Sequence, residues 1–260
     1  MSKRSEAATP PEVLKRLLTV ATEEVLIGGQ ALAVWLDHYG LTLPAGAPSA
    51  ISNDVDFLAR SAAAASRVHA FAKAIGGKVH LPNERALTAL VGQAYLDISD
   101  EEYLNVDVMF KLVGLTADEV RRETVKFDVD GMSFLVMHPL HVLRSRLVNL
   151  HKLPEKQNDK GELQLVLAIA VAREFLRRAV LTEALEDVAT GRSPIQRYVN
   201  DVVVMARGDA GKKVAKRLGI RVADAIDPSL IPAGPFWDKA WPRIRPLMSP
   251  EWASQFSVPE

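Results

Sequence analysis

Hydrophobic positions in the first half of the chain follow both the helical and the strand period. Residues 10–22 space their large apolar side chains as one face of a helix does, behind two prolines that suit a helix start. The apolar run 25–27 predicts a strand, and the pair Gly28-Gly29 separates it from a second helical stretch that ends at Gly40. The order is therefore helix, strand, glycine turn, helix.

The remaining pattern predicts a mixed sheet followed by helices. We expect a loop at 41–50, a strand at 54–59, a helix at 61–75, strands near 78–81, 86–98 and 103–110, a hairpin turning at Asp130-Gly131, and helices near 139–153, 157–180, 182–190, 194–207 and 209–218. The sequence predicts an α/β (α+β) fold: a mixed sheet with flanking helices in a domain at 1–137, then an all-helical domain at 138–260.

Composition excludes several classes of protein. The 260 residues are 48% hydrophobic and carry no net charge and no cysteine, which excludes a disordered chain, a generic polycation and any disulfide or thiolate chemistry. The N-terminus lacks the apolar core of a signal peptide, and the apolar stretch 165–172 is too short to span a bilayer. We expect a cytoplasmic protein with no membrane partner.

Three aspartates are predicted to share one face of the sheet. Asp54 and Asp56 lie two residues apart on one strand and project to the same side, while Val55 and Phe57 point into the core. Asp107 lies in a second strand whose alternate positions are apolar. Gathered carboxylates repel one another unless a cation neutralises them, so the pattern favours Mg²⁺, or Mn²⁺, in a two-metal phosphoryl-transfer site. The alternative for Asp54 and Asp56 is a solvated strand edge.

The motifs V-L-I-G-G-Q-A-L, S-N-D-V-D-F and L-N-V-D-V together resemble the nucleotidyltransferase superfamily of DNA polymerase β, and more narrowly the abortive-infection (AbiEii-type) toxins of toxin–antitoxin pairs. The resemblance implies a nucleotidyltransferase-type sheet. It implies that Gly28 and Gly29 cradle a triphosphate, that Asp54 and Asp56 bind both metal ions, and that Asp107 completes the catalytic site. The chain departs from the family in its longer 30–53 segment and in Gln30, where many relatives carry Ser or Thr.

The helix after Pro139 has an apolar stripe and an opposite polar face. The resemblance implies that Lys152, with Arg144 or Arg146, neutralises the nucleotide phosphates; Lys156 and Asp159 compete for that role. The alternative is a solvated helix face.

The second half is basic. Residues 1–137 carry a net charge of −5 and residues 138–260 a net charge of +5. The stretch 207–221 alone has a net charge of +5 and is interpreted either as an RNA-backbone surface or as a solvated helix surface. Trp237 and Trp241 are expected to be packing anchors, and the histidines show no metal-binding spacing.

Three functions follow as hypotheses. The first is a Mg²⁺-dependent nucleotidyltransferase that moves a nucleoside monophosphate from an NTP to an RNA or tRNA acceptor, as a toxin with a cognate antitoxin. The second keeps the reaction but uses a small hydroxylated acceptor, as antibiotic nucleotidyltransferases do. The third is a non-catalytic module that binds RNA or protein on the same scaffold.

Overall fold

The computed structural model describes residues 4–44, 46–47, 51–83, 87–185, 194–230 and 234–255. The chain divides into two compact units, Met1–Asp37 with Thr42–Ser145 and His38–Leu41 with Arg146–Glu260. The sequence pattern put the domain boundary at 137–139, where a helix begins. The division by contacts falls inside that helix, between Ser145 and Arg146.

The first unit contains the strands and the first helices, and the mixed α/β class is confirmed. Its strands are β1 (Ser5–Glu6), β2 (Val25–Ile27), β3 (Val55–Leu58), β4 (Lys78–His80), β5 (Leu90–Asp97), β6 (Glu102–Met109), β7 (Val125–Val129) and β8 (Met132–Val136). Its helices are α1 (Pro11–Val20), α2 (Gly28–Tyr39), α3 (Ala65–Ile75), α4 (Ala117–Arg122) and the first part of α5 (Pro139–Lys152).

The eight strands form one mixed sheet. The order is β4-β5-β6-β3-β2-β8-β7, and β1 adds to β6 beside the start of β3. Strand β3 runs parallel to β6 and antiparallel to β2, so the two predicted aspartate strands are direct neighbours.

Alternation along β3 and β6 separates an apolar face from a polar face. Val55, Phe57, Val106 and Val108 are all buried on one side, as predicted. Phe57 stacks on Phe71 of α3 with ring centroids 4.4 Å apart. Because α3 covers this face, the polar residues between these positions lie on the opposite face.

Two short elements escaped the sequence pattern. Strand β1 has only two residues, too few to show alternation. Thr116 is the N-cap of α4 and forms a reciprocal capping box with Glu119. The motif Thr-x-x-Glu is a known signal for a helix start, but the strands predicted on either side drew attention away from it.

The second unit takes in the end of α2 and the turn after it, residues 38–41. Its other described residues form helices and turns, and no strand. The helices are α6 (Asp159–Leu185), α7 (Pro194–Arg207), α8 (Asp209–Leu218), α9 (Pro235–Ile244) and α10 (Pro250–Ala253), with 3-10 turns at Pro154–Lys156, Val222–Ala225, Pro228–Leu230 and Arg245–Leu247. The prediction of a helix ending at 180 was wrong, because α6 continues without a break to Leu185. The rest of the predicted helix 182–190 lies outside the described residues.

One arginine fastens α6 to the C-terminal segment of this unit. Arg173 donates two hydrogen bonds to the Asp224 carbonyl oxygen, and its guanidinium lies 3.8 Å from the centroid of the Trp252 ring. Trp252 in turn donates its indole N–H to the Ile226 carbonyl oxygen at 2.9 Å. Cation–π stacking and backbone hydrogen bonds thus hold α6 against this segment.

No helix in the described part of the chain is long and apolar enough to cross a bilayer.

Candidate metal centre

Three aspartates converge on the polar face of the sheet. Asp56 on β3 and Asp107 on β6 pair directly in the parallel register, and Asp54 lies just before β3. Each offers a carboxylate oxygen within 4.8 Å of those of the other two, and all three side chains are half-buried. Residues in register on neighbouring strands point to the same side, which is why strand spacing and parallel pairing bring these carboxylates together.

Two side-chain amides hold Asp107. Gln93 of β5 pairs with Asp107 across the sheet and donates its Nε2 hydrogen to Oδ1 at 2.9 Å. Asn105 donates from Nδ2 to the same oxygen at 3.0 Å. Two hydrogen bonds to one oxygen fix the rotation of the Asp107 carboxylate. Gln93 was not singled out from the sequence, because its role depends on the β5–β6 register.

A second chain of hydrogen bonds holds Asp54. The Ser52 hydroxyl donates to Oδ1 of Asp54 at 2.6 Å, and Nε2 of the buried Gln30 donates to the Ser52 carbonyl oxygen at 3.2 Å. Gln30 follows the glycine pair in α2. Its amide therefore anchors the residue that holds Asp54, which gives it a structural role where the resembled family carries a hydroxyl.

Gly28 is required where α2 begins beside Asp56. Its φ is +70°, a left-handed conformation that side chains disfavour, and an added Cβ would overlap Oδ2 of Asp56. Gly28 and Gly29 are both buried. Gly28 thus lets the helix start approach the Asp56 carboxylate; contact of either glycine with a triphosphate stays a prediction.

A fourth carboxylate, which the sequence pattern did not indicate, borders the three aspartates. Glu6 of β1 accepts hydrogen bonds from Tyr103 and from Asn105, at 3.3 and 3.2 Å. Burial and the nearby charge of Asp54 raise the pKa of Glu6 above its usual range. The parallel pairing of a two-residue strand with β6 brings Glu6 here, and such a strand has no periodicity to detect.

The predicted phosphate-binding residues of α5 are placed differently from one another. Arg144 pairs with Glu119 of α4 at 3.6 Å in the first unit. Arg146 is 8% exposed and donates to Oε1 of Gln164 of α6 at 3.1 Å in the second unit. Lys152 is exposed at the end of α5, where it has no ion-pair partner among the described residues. The structure does not bring Arg144 and Arg146 into one group.

The polar side chains of α5 differ in how far solvent reaches them. No residue from Pro139 to Leu150 is exposed, and Ser145 is 6% exposed. Arg144 pairs with Glu119 and Arg146 donates to Gln164, whereas Lys152 at the end of the helix is exposed.

Some basic side chains of the stretch 207–221 bond to other groups in the described part of the protein, and others do not. Arg207, Arg217 and Arg221 donate to the carbonyl oxygens of Arg243, Leu150 and Pro246. Lys213 pairs with Asp209 at 3.0 Å. Lys212 and Lys216 are exposed, one turn apart on α8, with no ion-pair partner in the described ranges. Two lysines are therefore available to an external anion.

The expected packing of the two tryptophans is confirmed for Trp241. It is 7% exposed and stacks on Trp237 with centroids 5.2 Å apart. His138 accepts a hydrogen bond at Nδ1 from the Leu140 backbone N–H at the start of α5. His138 therefore caps the start of this helix.

The donor set fits a hard divalent cation. All three side chains supply carboxylate oxygens, the ligands that Mg²⁺ prefers, and neighbouring groups orient at least two of them. Three carboxylates this close raise one another's energy unless a cation balances them. The arrangement can therefore concentrate positive charge at one point on the sheet.

No family model matches the chain, and no curated protein matches it significantly.

Proposed function

We propose that the protein is a Mg²⁺-dependent nucleotidyltransferase that transfers a nucleoside monophosphate from an NTP to an acceptor hydroxyl. The convergence of Asp54, Asp56 and Asp107 from two neighbouring parallel strands carries this proposal. Such a cluster is costly to a fold that does not use it.

The sheet is proposed to be of the nucleotidyltransferase type. In support, β2 leads through Gly28 and Gly29 into α2, the antiparallel neighbour β3 follows Asp54 and carries Asp56, and β6 carries Asp107. The order and strand placement of these motifs agree with the resemblance seen in the sequence.

The three aspartates would hold two Mg²⁺ ions, or Mn²⁺, and bound ions would neutralise charge that develops on the phosphates. In the proposed transfer the acceptor oxygen bonds to the α-phosphorus while the bond to the β-phosphate bridging oxygen breaks. Pyrophosphate leaves with that electron pair, and the Asp107 carboxylate accepts the hydroxyl proton.

Lys152 is the proposed phosphate ligand among the three basic residues of α5. Its ammonium group is exposed, whereas Arg144 pairs with Glu119 and Arg146 is buried against Gln164. Lys156, in the following 3-10 turn, is also exposed and stays a competitor for the role.

RNA or tRNA is the proposed acceptor, and a toxin role with a cognate antitoxin is the proposed biological setting. The support is the positive charge of the second unit and the exposed Lys212 and Lys216. Growth arrest upon expression of the wild type, relieved in Asp54→Asn, is expected. Harmless expression of the wild type contradicts the toxin role.

The decisive experiment is label transfer from each of the four NTPs to total RNA, with Asp54→Asn and Asp56→Asn as test variants. These substitutions keep the side-chain volume and remove a charge that would hold the ions, so we expect activity to fall by about 100-fold or more. Asp100→Asn is the matched control, because Asp100 is exposed in the β5–β6 turn.

Two outcomes would redirect the assignment. Label on small molecules in an extract, with none on RNA, favours the antibiotic-type reaction. Calorimetry that detects neither NTP nor divalent-cation binding favours the non-catalytic module, and equal transfer by the wild type and both aspartate variants contradicts the enzymatic proposal.

A further inference from the structure

The short strand β1 places a carboxylate next to the hydrogen-bond network of the three aspartates. Ser5 and Glu6 pair in parallel with Glu102 and Tyr103, and the Glu6 side chain is half-buried there. Oε1 of Glu6 accepts from Nδ2 of Asn105 at 3.2 Å and from the Tyr103 hydroxyl at 3.3 Å. Glu6 therefore contacts the aspartates through another side chain.

Asn105 lies between two carboxylates. Its Nδ2 group donates one hydrogen bond to Glu6 and another to Oδ1 of Asp107, at 3.2 and 3.0 Å. Carboxylates only accept hydrogen bonds, so an amide between two of them must present its NH₂ group to both. Without Glu6, the Asn105 amide would keep only one of its two carboxylate partners, and its orientation at Asp107 would be held less firmly.

The same N-terminal segment also holds the residue before Asp54. The Glu6 carbonyl oxygen accepts from Nδ2 of Asn53 at 2.9 Å. Thr9 donates to the Asn53 carbonyl oxygen from its backbone N–H at 3.1 Å and from its hydroxyl at 2.8 Å. Residues 6–9 thus join the entry of β3 to β6, the two strands that carry the aspartates.

We propose that Glu6 is a positioning residue of the metal centre: by accepting from Asn105 it keeps the Asn105 amide donating to Asp107, and so orients the Asp107 carboxylate towards the other two aspartates. This inference rests on the proposed function, since it takes the three aspartates to be metal ligands. Groups that orient metal ligands typically contribute about 10-fold to 100-fold in metal affinity.

The test compares three variants by calorimetric titration of the full chain with Mn²⁺ alone. Glu6→Ala removes the acceptor, and we expect its dissociation constant to rise by about 10-fold or more. Glu6→Gln loses the charge but keeps an acceptor oxygen, so it should stay within about threefold of the wild type. The matched control is Glu102→Ala, which removes a charge from the exposed start of β6 and should bind as the wild type does.

The outcomes separate positioning from charge and from stability. Equal weakening by Glu6→Ala and Glu6→Gln means that only the charge of Glu6 matters and overturns the proposal, as does unchanged binding by Glu6→Ala. If Glu6→Ala does not fold, Glu6→Met occupies similar space without an oxygen acceptor and gives the same comparison. Thermal midpoints recorded in parallel show whether affinity is lost without loss of folding.

Failure of the proposed function gives a different result. If the wild type binds no Mn²⁺, or if Asp56→Asn binds it as the wild type does, the metal centre itself is wrong. If the wild type binds and Asp56→Asn does not, the metal centre stands and the Glu6 variants decide the positioning role alone.

Discussion

At the scale of single residues, the candidate site depends on close approach between backbone and carboxylate. Gly28 has a positive φ, and the Asp56 carboxylate occupies the space that a Cβ of residue 28 would need. Gly40, at the other end of the same helix, also has a positive φ, of 64°, but no atom lies within 4 Å of its added Cβ among the described residues. Both positions therefore favour glycine because of their backbone conformation, but only Gly28 also lacks space for a side chain.

Gly28→Ala and Gly40→Ala are therefore a matched pair. Each forces alanine into a left-handed conformation, which should lower the free energy of unfolding by about 1–2 kcal/mol. Gly28→Ala alone should also displace Asp56 and weaken Mn²⁺ binding by about 10-fold or more. Urea denaturation and Mn²⁺ titration measure the two effects, and wild-type Mn²⁺ affinity in Gly28→Ala would show that Asp56 tolerates displacement.

At the scale of secondary-structure elements, α4 and α5 meet at a half-buried histidine. His141 of α5 lies 3.6 Å from the Glu123 carboxylate after α4, and its Nδ1 is buried without a hydrogen-bond partner among the described residues. Burial lowers the pKa of His141 below 6.5, although Glu123 and Glu119 act in the opposite direction and Arg144 adds to the lowering. Burial at this position therefore favours the neutral imidazole, against the opposing effect of the two glutamates.

Acid should loosen this contact. Because the pKa of His141 is lower in the folded chain than in the unfolded chain, the unfolded state takes up the proton first as the pH falls below about 6.5. Stability supplied by neutral His141 is thus complete well above its unfolded pKa and declines as the pH falls towards its folded pKa. His141→Gln should show a smaller loss of unfolding free energy than the wild type between about pH 7.5 and about pH 5.5.

The control for this prediction is His69→Gln, because His69 is exposed on α3. It should keep the wild-type pH dependence in urea titrations over the same range. An unchanged pH dependence in His141→Gln would place the acid-sensitive group elsewhere in the chain.

At the scale of the whole molecule, neutrality hides two oppositely charged units. The first unit carries 14 basic and 18 acidic side chains and the second carries 18 basic and 14 acidic ones. Arginines of the 207–221 stretch keep their charge but use some of their N–H donors on backbone carbonyl oxygens, so fewer donors are open to an external polyanion. The lysines of α8 are the more available part of that charge.

We therefore expect Lys212→Glu/Lys216→Glu to weaken RNA binding without changing Mn²⁺ affinity. Phosphate contacts release counterions, so the difference from the wild type should shrink between about 50 mM and about 200 mM salt. Arg16→Glu/Lys73→Glu changes the net charge equally on exposed positions of the first unit and serves as the control. Equal loss in both double variants, in a filter-binding assay, would attribute binding to net charge instead of to α8.

Most elements, and the shared face of Asp54 and Asp56, could be predicted from the sequence alone. Strand alternation puts Asp54 and Asp56 on one face, and turn residues such as Asp130-Gly131 mark the β7–β8 hairpin. These features are local, because they depend on backbone geometry over a few residues. The class of fold and the placement of Asp54 and Asp56 could therefore be predicted without any knowledge of contacts, whereas the approach of Asp107 depends on the β3–β6 register.

The contacts around the three aspartates could be read only from the tertiary structure. Glu6 and Gln93 reach the Asp107 network only through the pairing of β1 and β5 with β6, and the Arg146–Gln164 hydrogen bond depends on the packing of α5 with α6. Strand register and helix packing join residues far apart in the chain, so no local period records them. Local backbone geometry sets the face on which a side chain lies, whereas strand register and helix packing set which side chains it contacts.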